Sequence, residues 1–199
     1  MVHQLTGAVR LQIEETRRGF DKLLADERVM DAVAQVAALC TDTIRAGGKV
    51  MFAGNGGSAA DSQHLAGEFV SRFNFDRPGI AGLALTTDTS VLTAIGNDYG
   101  YEQVFSRQVQ AMGRPGDVLV GITTSGRSPN ILRAFAQARS IGVRTVGMTG
   151  AKGESLAEVC DYCIVVPEHP TPRVQELHIA IGHTICALVE EALFRSARG

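Results

Sequence analysis

The 199-residue chain predicts an α/β protein built on a parallel sheet with helices over both faces. Three observations carry this. Short, continuous apolar runs alternate with helix-period segments, the pattern of strands buried on both sides. Each run ends in Gly, Ser, Thr or Asp, residues suited to turning the chain or capping a helix. No Pro-rich linker or shift of composition interrupts the alternation, so residues 1–199 read as one domain.

The first fifty residues predict two helices. Leu5, Val9, Ile13 and Phe20 mark one face over 5–25, and a second helix over 26–48 stops at Gly47-Gly48. Strands follow at KVMFAG (49–54), GLALTTD (82–88), DVLVGITT (117–124), RTVGMTG (144–150) and YCIVVP (162–167). Helices are expected over 58–73, 101–112, 128–142 and 171–194. Segment 1–47 exceeds what such a sheet needs and is expected to pack against a neighbouring subunit; simply covering the sheet is the alternative.

Composition narrows the function. Apolar residues make up 45% and charged residues 20%, ordinary for a globular protein. A net charge of -2 gives no basic field for nucleic acid and no polybasic patch for a membrane. No run approaches the roughly 20 apolar residues of a spanning helix. The N-terminal stretch mixes acids with its bases and lacks an apolar segment, unlike a signal peptide. Four cysteines without regular spacing suggest no disulfide framework and a reducing, cytoplasmic setting. Cys160 and Cys163 match the CxxC spacing, half of a typical zinc site. At the start of a strand, alternation would send their sulfurs to opposite faces, which favours plain packing.

Ligands of open α/β sheets bind beyond the carboxyl ends of the strands, so the residues there are the informative ones. Thr123, Thr124, Ser125 and Ser128 place four hydroxyls around Gly126, directly before a helix opened by Pro129. Hydroxyls together with the positive end of a helix make an anion site, and phosphate is the anion expected. Ordinary helix capping would need only one of them. After the first strand, Gly54-Asn55-Gly56-Gly57-Ser58 lacks both the dinucleotide fingerprint and the Gly-Lys-Ser/Thr of a Walker loop, which disfavours a nucleotide cofactor. In the helix that follows, His64 and Glu68 stand at i and i+4 on one face, with Asp61 a turn earlier. Alone they could be a solvated surface pair. The last helix carries Gln175, Glu176, His178 and His183 among apolar residues, with Gln175 and His183 about 80° apart. If the two helices meet, two imidazoles, a carboxylate and an amide would suit a divalent metal such as zinc.

AGNGGSAADSQHLAGEFVSRF, AIGNDYGYEQVFSRQV, GITTSGRSPNI and RVQELHIAIGHTICALVEE together resemble the sugar isomerase (SIS) domain family and, within it, the phosphoheptose isomerase family, over essentially the whole chain. The resemblance implies a five-stranded, flavodoxin-like doubly wound sheet flanked by helices. It implies interconversion of sedoheptulose 7-phosphate and D-glycero-D-manno-heptose 7-phosphate, an early step toward activated heptose for lipopolysaccharide or other surface polysaccharide. It implies a homotetramer with active sites shared between subunits. One zinc per subunit would be held at His64, Glu68, Gln175 and His183. Phosphate would be held at Thr123, Thr124, Ser125 and Ser128, and the sugar contacted at Asn55, Gly56, Gly57, Asn97 and Asp98, with Ser58, Asp61, Glu68 and Gln175 close by. Two departures stand out. Thr123-Thr124 replaces a Ser-Thr pair but keeps the hydroxyls. Pro172 replaces an Asp found in some relatives, and Asp61 or Gln175 would have to supply any proton transfer assigned to it.

Aldose–ketose isomerisation moves a proton between adjacent carbons through an enediol. Glu68 is the expected base and His183 the expected acid. Two rivals remain at this point: a non-catalytic SIS protein that binds the replication initiator, and an SIS enzyme for another phosphosugar. The first has no need of Glu68, Gln175 and His183 together, and the second usually comes in a longer chain.

Overall fold

The computed structural model describes residues 2–195. Its five strands are β1 (Val50–Gly54), β2 (Gly82–Ala84), β3 (Val118–Ile122), β4 (Arg144–Gly150) and β5 (Tyr162–Val166). They form one sheet in the order β2-β1-β3-β4-β5, every pair parallel, as the sequence predicts. Seven helices accompany them among the described residues: α1 (Val2–Leu24), α2 (Glu27–Arg45), α3 (Gly57–Val70), α4 (Thr89–Tyr99), α5 (Val104–Met112), α6 (Pro129–Ser140) and α7 (Thr171–Phe194). Short 3-10 segments precede α5 (Tyr101–Gln103) and β5 (Ala151–Glu158).

Strand alternation divides the core. Val50, Phe52, Val118, Val120, Val146, Met148 and Ile164 face α2, α3 and α7. Met51, Ala53 and Leu119 face α5, α6 and the second 3-10 segment. Each large apolar side chain removed from water contributes about 1.5–3 kcal/mol, and both faces of the sheet collect such contributions.

Two helices add detail to what the sequence predicts, and one expectation, for the cysteines, is corrected. First, α2 belongs to the sheet's own cover. Val29, Val33, Val36, Ala37 and Cys40 are buried along it, and Asp26 caps its start by accepting the Arg28 N–H at 3.1 Å. Only α1 projects: its C-terminal end is tied down by buried Leu23 and by Lys22 to Glu168 at 2.7 Å, while Leu5, Val9, Leu11 and Ile13 are exposed. Second, α7 has the length and apolar composition to cross a membrane. Its Val174, Leu177, Ile181, Ile185 and Val189 are instead buried against the protein, with His178 and Glu190 buried among them, as in a core helix. Third, Cys160 lies before β5 begins at Tyr162, so alternation never acts between Cys160 and Cys163 and their thiols do not diverge.

Boundaries also move. β2 ends at Ala84 rather than 88, because Asp88 turns to accept the Val91 N–H at 3.0 Å and caps α4. The periodicity does not announce α4: it buries no residue fully, and Thr, Val, Ile and Gly96 are weak helix formers. α3 ends at Val70 because residues 71–79 peel away around Arg77, which donates to the carbonyls of Phe69, Ser71 and Pro78.

Candidate active site

From β1 the chain moves on to β2 at one edge, and from β3 to β4 on the other side. The β1/β3 boundary is therefore the switch point where a crevice opens beyond the strand ends. A cavity of about 360 Å³ lies there, lined by Asn55, Gly56, Gly57 and Ser58 from the first loop, Thr123, Thr124 and Ser128 from the third, and Thr171 and Gln175 from α7. Gly126 turns the third loop at φ +69°, and a Cβ there would come within 2.7 Å of Gly153, so glycine is required on both counts. Ser128 occupies the N-cap of α6 but makes no side-chain capping bond; its Oγ lies 2.9 Å from Thr123 Oγ1. The hydroxyls are thus not consumed by capping, and they face the cavity beside the helix N-terminus. Ser125 is exposed, its Oγ accepting the Arg127 N–H at 3.3 Å.

Sequence reasoning missed Asn130. Its amide pairs reciprocally with that of Asn55, donating at 2.8 Å and accepting at 3.0 Å, and the Tyr101 hydroxyl donates to the same Asn55 oxygen at 3.2 Å. This pair ties the first loop to the start of α6. The available signal was an Asn two residues after Ser128, inside the first helical turn, where polar side chains meet ligands.

Gly57, Asp61, His64 and Glu68 fall within about 60° of one another around α3, a single stripe. α7 runs beside it in the same direction. A Cβ on Gly57 would collide with the Gln175 amide, one on Gly182 would meet Leu65 at 2.6 Å, and His64 Nε2 lies 2.7 Å from His183 Nε2. The cavity and the His64–His183 pair therefore sit at two ends of the α3–α7 contact, about 10 Å apart along α3.

At the far end, Glu68 Oε1 is 3.4 Å from His64 Nε2, and the two imidazoles meet edge-on with ring centres 5.0 Å apart. Phe73 stands 5.5 Å from the His183 ring. Arg77 holds the Glu68 carbonyl at 2.8 Å and is itself paired with buried Glu190 at 2.9 Å. One oxygen of Asp61 is buried without a partner. Burial raises the Asp61 carboxyl above its ordinary range, with His64 and His183 drawing it back.

Two Nε2 atoms and a carboxylate oxygen, all within 4.8 Å of one another, form a donor set that fits a divalent metal. Gln175 is not with them in the same chain. It stands two turns before His183, about 12 Å along the helix, with its amide at the cavity rim. Asn97 and Asp98 are exposed at the end of α4, bonded to each other at 2.8 Å and outside the cavity lining. Pro172 brings no acid to the N-terminus of α7.

The SIS domain family matches residues 15–150. The chain is 58% identical over 182 residues to the phosphoheptose isomerase of Burkholderia pseudomallei strain K96243, covering 92% of each. It is 56% identical over 188 residues to that of Aneurinibacillus thermoaerophilus, covering 94% of this chain and 95% of the relative. Among solved structures, the phosphoheptose isomerase GmhA of Neisseria gonorrhoeae superposes with a TM-score of 0.86 at 40% identity, covering 94% of this chain and 99% of that one.

Proposed function

The chain belongs to the SIS domain family and, within it, to the phosphoheptose isomerases, and we propose that it interconverts sedoheptulose 7-phosphate and D-glycero-D-manno-heptose 7-phosphate through an enediol. That it is a sugar-phosphate isomerase acting on a heptose phosphate follows from membership. The single observation supporting the finer reading is the pairing of α3 with α7. Hydroxyls and a helix N-terminus lie at one end, a carboxylate and two imidazoles at the other, and the spacing suits an extended seven-carbon sugar phosphate.

In this reading Thr123, Thr124, Ser125 and Ser128 hold the phosphate, whose binding energy fixes the distant carbons. Asn55, Gly56, Gly57, Ser58 and Gln175 line the start of the sugar's path, and Asp61 offers its partnerless oxygen to a hydroxyl further on. Glu68 takes the carbon-bound proton and His183 shuttles protons at the oxygens on the other side. Zinc, held by His64, Glu68 and His183, would supply Lewis-acid polarisation of the carbonyl, and Glu68 and His183 would act on protons only where their ligation exchanges during turnover. Asn97 and Asp98 would reach a sugar only across a subunit contact, which agrees with a homotetramer whose exposed α1 faces pair. Four free cysteines suit the cytoplasm, and activated heptose for lipopolysaccharide or another surface polysaccharide is the route served. An initiator-binding protein would have no use for the His64–Glu68–His183 cluster.

The test is elemental analysis of the purified protein together with turnover of sedoheptulose 7-phosphate before and after chelation. Bound zinc and turnover that falls on chelation and returns with zinc are expected. A metal-free protein at full turnover would remove the metal from the account, and no turnover with zinc bound would remove the substrate.

A further inference from the structure

The CxxC pair lies outside both the cavity and the His64–Glu68–His183 cluster, and the geometry gives it a chemistry of its own. Cys163 is the register neighbour of Gly147 on β4, so its side chain rises from the sheet on the face where Gly147 has none. Cys160 Sγ fills that same gap, 3.0 Å from where a Cβ on Gly147 would be. Both cysteines pack against the same cluster of buried residues, and the two thiols are close enough for each to shift the other's pKa. Both are half-buried, and Cys163 also lines a cavity of about 450 Å³ beneath the start of α2, with Asp26, Arg28 and Glu154 at its edge. Cys40 and Cys186, by contrast, are buried in the opposite core with thiols pushed up to about 12.

We infer that Cys160 and Cys163 form a reactive dithiol site that closes to an intramolecular disulfide by exchange with a low-molecular-weight disulfide such as oxidised glutathione. The two thiols divide the work. The neighbouring Cys163 thiol, helped by the Gly147 backbone and Arg139, lowers the Cys160 thiol against burial and Asp161, and the same proximity raises Cys163. Cys160, as thiolate, attacks one sulfur of the glutathione disulfide, which releases one glutathione thiolate and leaves a mixed disulfide on Cys160. Cys163, losing its proton to solvent, attacks Cys160 Sγ and expels the second glutathione. Two protein thiols are oxidised and one disulfide is reduced to two thiols. The Cys160 thiol gives up its bond to the Leu156 carbonyl, now 3.1 Å long. In a reducing compartment such a bond is transient, which is the use made of the few disulfides found there.

The experiment incubates the reduced, full-length protein with oxidised glutathione, quenches with acid, alkylates under denaturing conditions and maps the peptides. The site predicts a Cys160–Cys163 link reversed by dithiothreitol, with Cys40 and Cys186 left alkylatable. Cys163→Ser should stop at a glutathione adduct on Cys160, and Cys160→Ser should leave Cys163 unmodified over the same time. Phenylarsine oxide tests proximity without oxidation and should protect both thiols of the wild type at one equivalent. The inference is overturned if all four cysteines stay alkylatable, if the bridge involves Cys40 or Cys186, or if the arsenical protects neither thiol.

Discussion

Ser128 holds a capping position without a side-chain capping bond, so its proposed role as a phosphate anchor is measurable. Hydrogen bonds to charged groups contribute about 1.5–3 kcal/mol. Ser128→Ala should therefore raise KM for heptose phosphate about 10–100-fold, with kcat much less affected, and should weaken inhibition by inorganic phosphate in parallel. Steady-state kinetics check this; an unchanged KM would place the phosphate elsewhere. His178 gives a residue-scale effect of another kind. Burial drops its pKa from 6.5 to about 4, the Thr149 backbone acting the other way. The unfolded chain takes up this proton near pH 6.5 while the folded chain resists until about pH 4, so stability falls as pH is lowered through that window and is lost no further below it. Between pH 6.5 and 5 the cost is about 2 kcal/mol. Urea unfolding at those two values should show a smaller loss for His178→Gln than for the wild type; equal losses would contradict the assignment.

At the scale of elements, the site depends on loop 71–79 being pinned behind α3. Glu190 is the pin: it accepts the N–H groups of Phe73 and Asn74 at 2.8 and 2.7 Å and pairs with Arg77. Burial alone would raise its carboxyl, but these donors outweigh it and hold it below its usual value. Glu190→Ala leaves a buried guanidinium and two N–H groups without their partner, so denaturant unfolding should register a loss of about 3–5 kcal/mol. Phe73 beside His183 should loosen with it; a stability within 1 kcal/mol of the wild type would contradict this role. Which parts of the site could be read beforehand follows from range. The stripe of Asp61, His64 and Glu68 was legible because helix periodicity is local, as was the hydroxyl loop before Pro129. The parallel pairing of α3 with α7, which seats Gln175 at Gly57 and His183 at His64, was not, because spacing within one helix says nothing of its neighbour. Nothing local marks Glu190, because its partners Phe73, Asn74 and Arg77 lie over a hundred positions away.

For the whole molecule, strand ends and apolar runs were enough to foresee a parallel sheet covered on both faces. The strand order, and with it the switch point between β1 and β3, depended on contacts no local pattern encodes. The N-terminal helices divide on the same ground: α2 is buried cover, while α1 leaves Leu5, Val9, Leu11 and Ile13 in water. If α1 pairs with other copies of the chain, light scattering should give a tetramer for the wild type and a smaller species for the double variant Val9→Glu, Ile13→Glu; a monomeric wild type would end that reading. The central claim is that a sugar held by its phosphate at the hydroxyl loop presents its carbonyl end to Glu68. Turnover of sedoheptulose 7-phosphate by Glu68→Gln, measured beside the wild type with folding verified, tests it most directly. The account predicts a kcat lower by about 10²–10⁴-fold, the usual contribution of a positioned base, and isomerisation at the wild-type rate would contradict it.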